Sequence, residues 1–229
     1  MNYQKKMNYS YSLGAYPTIE LCTKKPEFVR VIYLHPKISS ELKRKILSIA
    51  REHSLEYLES PTFFEKLEKE NIYLAAKFTK FTSTLAQGNH LILHKPEMIG
   101  NLGTILRSSI AFGLRDIAII DPSCDEYHPH CIRASMGAIF SLRIEHFSCT
   151  EDYMKKYPQN IYAFMTGEHT LLKKQTFKSP WSLLFGSESS GLPLVYQERF
   201  HPVKIKMSPD VDSLNLPLAV GLALYHLYE

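Results

Sequence analysis

Apolar and polar positions alternate between two periods along this chain. Short β-branched or aromatic runs, bounded by proline or glycine, give way to stretches with an apolar residue every three or four positions. Residues 1–12 are polar, rich in Tyr, Asn and Lys and without period, and read as a loose arm. Residues 14–23 predict a short helix that stops before Lys24-Lys25-Pro26, and residues 28–34 (FVRVIYL), between Pro26 and Pro36, predict a strand. Ser39 and Ser40 are N-cap candidates for a helix running to Arg51. Its Leu42, Ile46, Ile49 and Ala50 share one face, and Lys43, Arg44 and Lys45 lie off it. A strand at 55–58 and a helix at 61–69, with Ser60 as cap and Pro61 at its first position, complete a compact α/β unit.

Residues 77–88 lack a clear period and end in Gln-Gly, so the domain boundary is placed after residue 86, dividing the chain into 1–86 and 87–229. Beyond it, strands are predicted at 89–93, 116–120, 143–147, 161–165, 181–185 and 203–207, with helices at 100–114, 130–140, 151–156, 193–199 and 213–228. Alternation with short crossovers predicts an α/β fold with a mostly parallel sheet covered on both faces. The last helix is apolar nearly all round (Leu214, Leu216, Leu218, Ala219, Val220, Leu222, Ala223, Leu224, Leu227). Such a helix is buried on more than one side, within the domain or against another subunit. With Ser213 as cap, Pro217 falls in its first turn.

Composition narrows the class without naming a function. Hydrophobic content of 45% and charged content of 22% fit a soluble globular protein. A net charge of +4 permits nucleic acid as a partner without demanding it. Four cysteines argue against a disulfide framework and for a reducing compartment. No apolar run approaches the ~20 residues of a membrane span. The N-terminus has no apolar run after its lysines, so it is not a secretory signal. The expectation is a soluble, cytoplasmic protein.

The signatures of P-loop enzymes, nicotinamide dehydrogenases, zincins and α/β-hydrolases are missing from the sequence. Three polar segments at predicted strand ends carry the remaining chemistry. Asn101, Gly103 and Arg107 follow the strand that ends at His94; Asn101 would cap a helix, and Arg107 offers a bidentate phosphate contact. Residues 185–191 (FGSESSG) place Glu188 between two glycines, Gly186 and Gly191. Residues 207–215 (MSPDVDSLN) lead into the last helix through Ser213, Leu214 and Asn215. Taken singly, these are an amphipathic helix, an αβ turn and an N-cap. Together, loops at the carboxyl ends of strands in one α/β domain frame a ligand pocket. Cys124, His128, His130 and Cys131 fall close together, but their spacing matches no zinc pattern and Pro129 interrupts them, so no metal is expected.

In this order the three segments resemble the three motifs of the SpoU (TrmH-like) RNA ribose 2′-O-methyltransferases of the SPOUT superfamily. Asn101-Leu102-Gly103-Thr104-Ile105-Leu106-Arg107 matches N-x-G-x-I-x-R. Phe185 to Leu192 matches F/L-G-x-E-x-x-G-L, and Ile205 to Met207 with Ser213 to Asn215 matches I-P-M…S-L-N. Ala111-Phe112-Gly113 and Ser135-Met136-Gly137-Ala138 are further likenesses, and the match covers roughly 88–229. It departs from the family at Lys206, Pro193 and Pro217.

The resemblance implies a SPOUT-type trefoil-knotted domain with a parallel sheet flanked by helices, preceded by a small L30e-like α/β domain that binds the RNA substrate. It implies a homodimer, S-adenosyl-L-methionine as cofactor, and RNA as substrate, ribosomal RNA ahead of transfer RNA. Cofactor contacts would come from Thr166, Gly167, Phe185, Gly186, Glu188, Ile205, Met207, Ser213, Leu214 and Asn215, and catalysis from Arg107, Asn101, Glu188, Ser213 and Asn215. The family assigns the base to the motif-one arginine. A guanidinium releases its proton only above about 12.5, so base and phosphate or alkoxide clamp both stand as roles for Arg107. Lys24, Lys25, Arg30, Lys43, Arg44 and Lys80, interleaved with aromatics, are the RNA-contact candidates in the first domain. A non-catalytic RNA-binding or assembly protein on the same scaffold is the competing reading. A flavodoxin-like nucleotide enzyme is disfavoured, because no Gly-rich loop follows the first strand.

Overall fold

The computed structural model describes residues 3–67 and 71–228. The chain divides into two compact units. The first comprises Met1–Phe81 with Asp125–Ser141, and the second Thr82–Cys124 with Leu142–Glu229. The sequence reading drew a single boundary after residue 86; the units instead share out the middle of the chain, with 125–141 in the first.

In the first unit, β1 (Tyr9–Leu13), β2 (Val29–Leu34), β3 (Tyr57–Glu59) and β4 (Leu74–Thr79) form a sheet in the order β1-β4-β2-β3. β4 pairs antiparallel with both β1 and β2, and β3 runs parallel to β2. Helices α1 (Ala15–Lys24), α2 (Ser40–Glu52), α3 (Pro61–Glu65) and α5 (Pro129–Ala134) belong to it. The Ser39 hydroxyl caps α2 by accepting from Leu42 N at 3.3 Å, as its position predicts. The helix predicted to reach residue 69 ends at Glu65, and residues 68–70 lie outside the described residues.

Two strands of the first unit escaped the sequence reading, as did the two-residue β9 (Thr170–Leu171) of the second. β1 lies in the supposed loose arm, because its inward positions are serines rather than apolar residues. Ser10 and Ser12 are fully buried. The Ser10 hydroxyl donates to Tyr127 O, and Thr18 Oγ1 donates to Ser12 Oγ at 3.3 Å. Satisfied hydroxyls replace hydrophobic contact, and the period-2 signal inverts. β4 overlaps the stretch read as aperiodic, because Leu74, Ala75, Ala76 and Phe78 are all buried and erase the alternation.

In the second unit, seven strands run parallel in the order β7-β6-β5-β10-β8-β11-β9. They are β5 (His90–His94), β6 (Asp116–Ile120), β7 (Arg143–Phe147), β8 (Asn160–Phe164), β9 (Thr170–Leu171), β10 (Trp181–Phe185) and β11 (His201–Lys204). β5 and β6 are buried at every position, as central parallel strands are. One face packs Ile92, Ala118, Ile120, Ile161, Ala163 and Leu184 on Tyr153 of α6 (Thr150–Lys156) and Tyr196 of α7 (Tyr196–Arg199). Helices α4 (Ile99–Ala111) and α8 (Leu216–Leu227) pack against each other.

α8 starts at Leu216, not Ser213, and Pro217 supplies the reason. With Ser213 as cap, Pro217 would have to donate the first intrahelical hydrogen bond, and it has no N–H. Asn215 is the cap instead, and its carbonyl accepts from Ala219 N at 3.0 Å. Residues 213–215 are thereby left in the loop. Only Val220, Ala223 and Leu224 of α8 are buried, while Leu218, Leu222 and Tyr225 are exposed.

Candidate active site

β8, β10 and β11 lie side by side, and the loops at their carboxyl ends enclose a cavity of about 480 Å³. Its apolar wall comes from Phe164, Phe185, Leu192, Val203, Ile205 and Leu214. The Phe164 and Phe185 rings stack at 4.3 Å between centroids. The polar wall comes from Thr166, Ser187, Glu188, Ser189, Ser190, Asp212 and Ser213. A volume of this size, walled by apolar side chains on one side and polar groups on the other, suits a small organic molecule.

The loop after β10 is folded tightly on itself. Gly191 takes a left-handed φ of +65°, and its N donates to Ser187 O at 3.1 Å. A Cβ on Gly186 would lie 2.1 Å from Gly191 C and 2.5 Å from Leu192 N, so only glycine lets these backbones meet. Ser187 and Ser190 exchange a hydroxyl hydrogen bond of 2.8 Å inside the turn.

Glu188 fastens this loop to α4. Its Oε2 accepts from Glu97 N at 2.9 Å, and its Oε1 accepts from Met98 N at 3.3 Å and Asn101 Nδ2 at 3.0 Å. A carboxylate at a helix N-terminus satisfies orphan amides and complements the helix dipole. The Ser189 hydroxyl also donates to Glu97 Oε1, at 2.6 Å. Asn101 therefore does not cap α4 as its position suggested. Met98 is the N-cap residue, and Asn101 lies one turn inside, turned toward Glu188.

The structure brings together most of the sequence-predicted cofactor set: Thr166, Phe185, Gly186, Glu188, Ile205, Met207, Ser213 and Leu214 all line the cavity. Gly167 and Asn215 adjoin lining residues but lie outside the lining. Arg107 lies six residues beyond Asn101 on α4, about 9 Å along the axis. It is exposed and outside the lining, as is Lys206. Phe164, Asp212, Leu216 and Ala219 line the cavity without having been singled out. Phe164 was legible as the end of a strand beside Thr166; the others became legible only with the turn that Pro217 imposes. Among the described residues no group of three or more His, Cys, Asp and Glu could hold a metal ion. None of the four cysteines forms a disulfide.

Of the RNA-contact candidates, Lys43 is paired with Glu59 at 2.5 Å and Lys80 with Asp125 at 3.6 Å. Arg30 donates to Thr79 Oγ1 at 2.8 Å, and Lys25 sits 5.2 Å from the Phe81 ring centroid. Lys24 and Arg44 are both exposed.

A parallel α/β domain with a small-molecule cavity at the carboxyl ends of adjacent strands is a ligand-binding domain of the doubly covered class. This chain belongs to the SpoU rRNA Methylase family, whose model matches residues 88–225. It is 32% identical over 139 residues to an uncharacterized tRNA/rRNA methyltransferase of Synechocystis sp., covering 59% of this chain and 51% of the relative. It is 29% identical over 145 residues to the 23S rRNA (adenosine(1067)-2′-O)-methyltransferase of Streptomyces azureus, covering 61% of this chain and 54% of the relative. The chain thus spans about half the length of these curated relatives. The fold is shared with the SpoU methyltransferase AviRb from Streptomyces viridochromogenes, solved with AdoMet, at a TM-score of 0.83 and 21% identity. That likeness covers 96% of this chain and 89% of the other. Among the described residues no helix is long and apolar enough to cross a membrane.

Proposed function

We propose that the chain is an RNA ribose 2′-O-methyltransferase that uses S-adenosyl-L-methionine. Its substrate is ribosomal RNA ahead of transfer RNA, and it works in the cytoplasm as a homodimer. The observation that carries this reading is Glu188, which joins the cavity loop to the amide end of α4 and to Asn101. The motif-two and motif-one residues are thereby one structural unit. The residues fit the cofactor. The cavity has room for a nucleoside with an amino-acid tail, the stacked Phe164 and Phe185 offer an apolar surface, and Asp212 adds a carboxylate to the lining.

When bound, S-adenosyl-L-methionine supplies an electrophilic methyl on its sulfonium. The chain does the rest by positioning. Gly186 and Gly191 hold the backbone wall, Ile205, Met207 and Leu214 close the apolar side, and Ser213 adds a hydroxyl to the lining. Arg107, positively charged and exposed on α4, acts as a clamp on the phosphate or the developing alkoxide. A second copy seated on the exposed apolar face of α8, beside α4, brings an arginine from one protomer toward the cavity of its partner.

The knotted topology is part of the same proposal. Two features support it: the chain runs to β11, two strands beyond β10, and then returns so that α8 packs on α4. An L30e-like role for the first unit fits its small mixed sheet and flanking helices.

The test is incubation with labelled S-adenosyl-L-methionine and total RNA, followed by mapping of 2′-O-methyl sites. Transfer to a ribose, abolished by Arg107→Ala with the cofactor-induced thermal shift retained, is expected. A protein that binds RNA but shows neither shift nor transfer would be a binding module instead.

A further inference from the structure

One face of the first unit's sheet carries cations that have no carboxylate partner among the described residues. The register sets Tyr9 opposite Thr79 and Tyr11 opposite Lys77 on one side of β4, and Val31 opposite Lys77 and Tyr33 opposite Ala75 on the other. By the period of 2, Tyr9, Tyr11, Tyr33, Lys77 and Thr79 share a face, opposite the buried Ser10, Ser12 and Phe78. Lys77 Nζ lies 4.0 Å from the Tyr9 ring centroid, and the Arg30 guanidinium carbon lies 5.6 Å from it. Arg30 donates to two neutral acceptors, Thr79 Oγ1 at 2.8 Å and Asn8 Oδ1 at 3.5 Å. Neither Arg30 nor Lys77 forms an ion pair among the described residues, whereas Lys43 and Lys80 do.

The aromatic row continues from there. Tyr9 meets Tyr11 edge-on at 5.7 Å, Tyr11 lies 5.8 Å from Phe63, and Tyr33 stacks on Phe63 at 4.0 Å. Burial, with Tyr9 and Tyr33 adding to it, pushes the Tyr11 hydroxyl up to about 12. Tyr9 is the end of the row next to both cations, and its ring is half-buried.

We propose that Tyr9, Arg30 and Lys77 form a platform for a single-stranded segment of RNA. One base stacks on the Tyr9 ring and the guanidinium plane of Arg30, and Lys77 meets the adjoining phosphate. The proposal rests on the reading of the chain as an RNA methyltransferase and specifies where the first unit holds its substrate. Two uncompensated cations complement a polyanion. A flat ring and a planar guanidinium complement a base whatever its identity. In the free protein Lys77 rests on the ring by a cation–π contact; a phosphate draws it aside and uncovers the ring face. A duplex keeps its base faces stacked inside, so this surface selects unpaired nucleotides.

The experiment uses the full chain and a fluorescein-labelled oligouridine of about 12 nucleotides, read by anisotropy at two salt concentrations. Tyr9→Ala should weaken binding by about tenfold, the range for one stacked base, while Tyr9→Phe keeps it. Lys77→Gln should weaken binding and lower the salt slope by about 0.7, one phosphate contact on a single strand. Lys155→Gln, in the second unit and paired with Asp152 at 3.2 Å, should bind as the native chain does. Where Tyr9→Ala lowers the melting temperature, Arg30→Gln and Lys77→Gln carry the test. Equal affinities of Tyr9→Ala and Tyr9→Phe, an RNA duplex bound as tightly as the single strand, or tyrosine-dependent capture of polyglutamate in place of RNA would each overturn the proposal. Methyl transfer to total RNA, measured in parallel, separates the two readings. Native-level transfer and binding by all three platform variants sinks only the platform. A native chain that transfers no methyl sinks the enzymatic reading and leaves the anisotropy result standing.

Discussion

Asn101 Nδ2 donates to Glu188 Oε1 at 3.0 Å, closing a contact between residues 87 apart in sequence. Together with the amides of Glu97 and Met98, it makes the carboxylate of Glu188 the anchor of the cavity loop. Glu188→Ala leaves three donors without their acceptor. The expected cost is about 1 kcal/mol, in the range of a lost helix cap, or a fall of about 2–4 °C in melting temperature. Cofactor affinity should fall with it, and Glu188→Gln, which keeps an acceptor oxygen, should restore part of both. Calorimetry with S-adenosyl-L-methionine, run beside a thermal melt, reads the two effects. Unchanged affinity in Glu188→Ala would remove Glu188 from the site.

Gly186 and Gly191 make opposite predictions although they share one loop. A Cβ at Gly186 meets backbone at 2.1 Å, and backbone cannot rotate away as a side chain can. Gly186→Ala should therefore open the turn, at an overpacking cost of about 1–3 kcal/mol, and abolish measurable cofactor binding. At Gly191 a Cβ meets open space and only the positive φ opposes it. Gly191→Ala should cost about 1 kcal/mol and leave binding within a few-fold. Isothermal titration of the two variants side by side decides whether this loop is the cofactor wall.

Leu218, Leu222 and Tyr225 expose the apolar side of α8, at 52%, 39% and 69%. If a second copy covers them, Leu222→Glu places a charge in a dry interface and should convert the dimer to monomer in light scattering. Methyl transfer should fall with the dimer. A native chain that is monomeric at micromolar concentration would contradict the dimeric part of the proposal.

Burial lowers the pKa of His90 and, with help from Lys95, that of His94, so both imidazoles stay neutral in the fold. Their folded values lie below the unfolded value of about 6.5. On acidification the unfolded chain binds protons first, so stability is intact above pH ~6.5 and falls as pH drops below it. The melting temperature should decline between pH 6.5 and 5.5, and His94→Gln should decline less steeply than the native chain. Parallel slopes in the two proteins would show that His94 contributes nothing to the decline.

The sequence by itself determined the parallel strands of the second unit, because runs such as 91–93 (LIL) and 117–120 (IAII) are apolar throughout and bounded by turns. It also determined the identities of the cavity loops, since the Gly, Ser and Glu at 185–192 follow a strand end in a fixed order. Local patterning misplaced what depends on partners far along the chain. β1 hides its inward face in serines whose acceptors include Tyr127 O, 117 residues away from Ser10. Asn101 looked like a cap because a polar residue near a helix start normally is one; tertiary structure gave the capping to Glu188 and turned Asn101 toward it. Pro217 moved the last helix three residues on and left Ser213 and Leu214 free to line the cavity. Period and propensity are short-range quantities. Which carboxylate satisfies which amide is decided by whatever the fold carries within 3 Å.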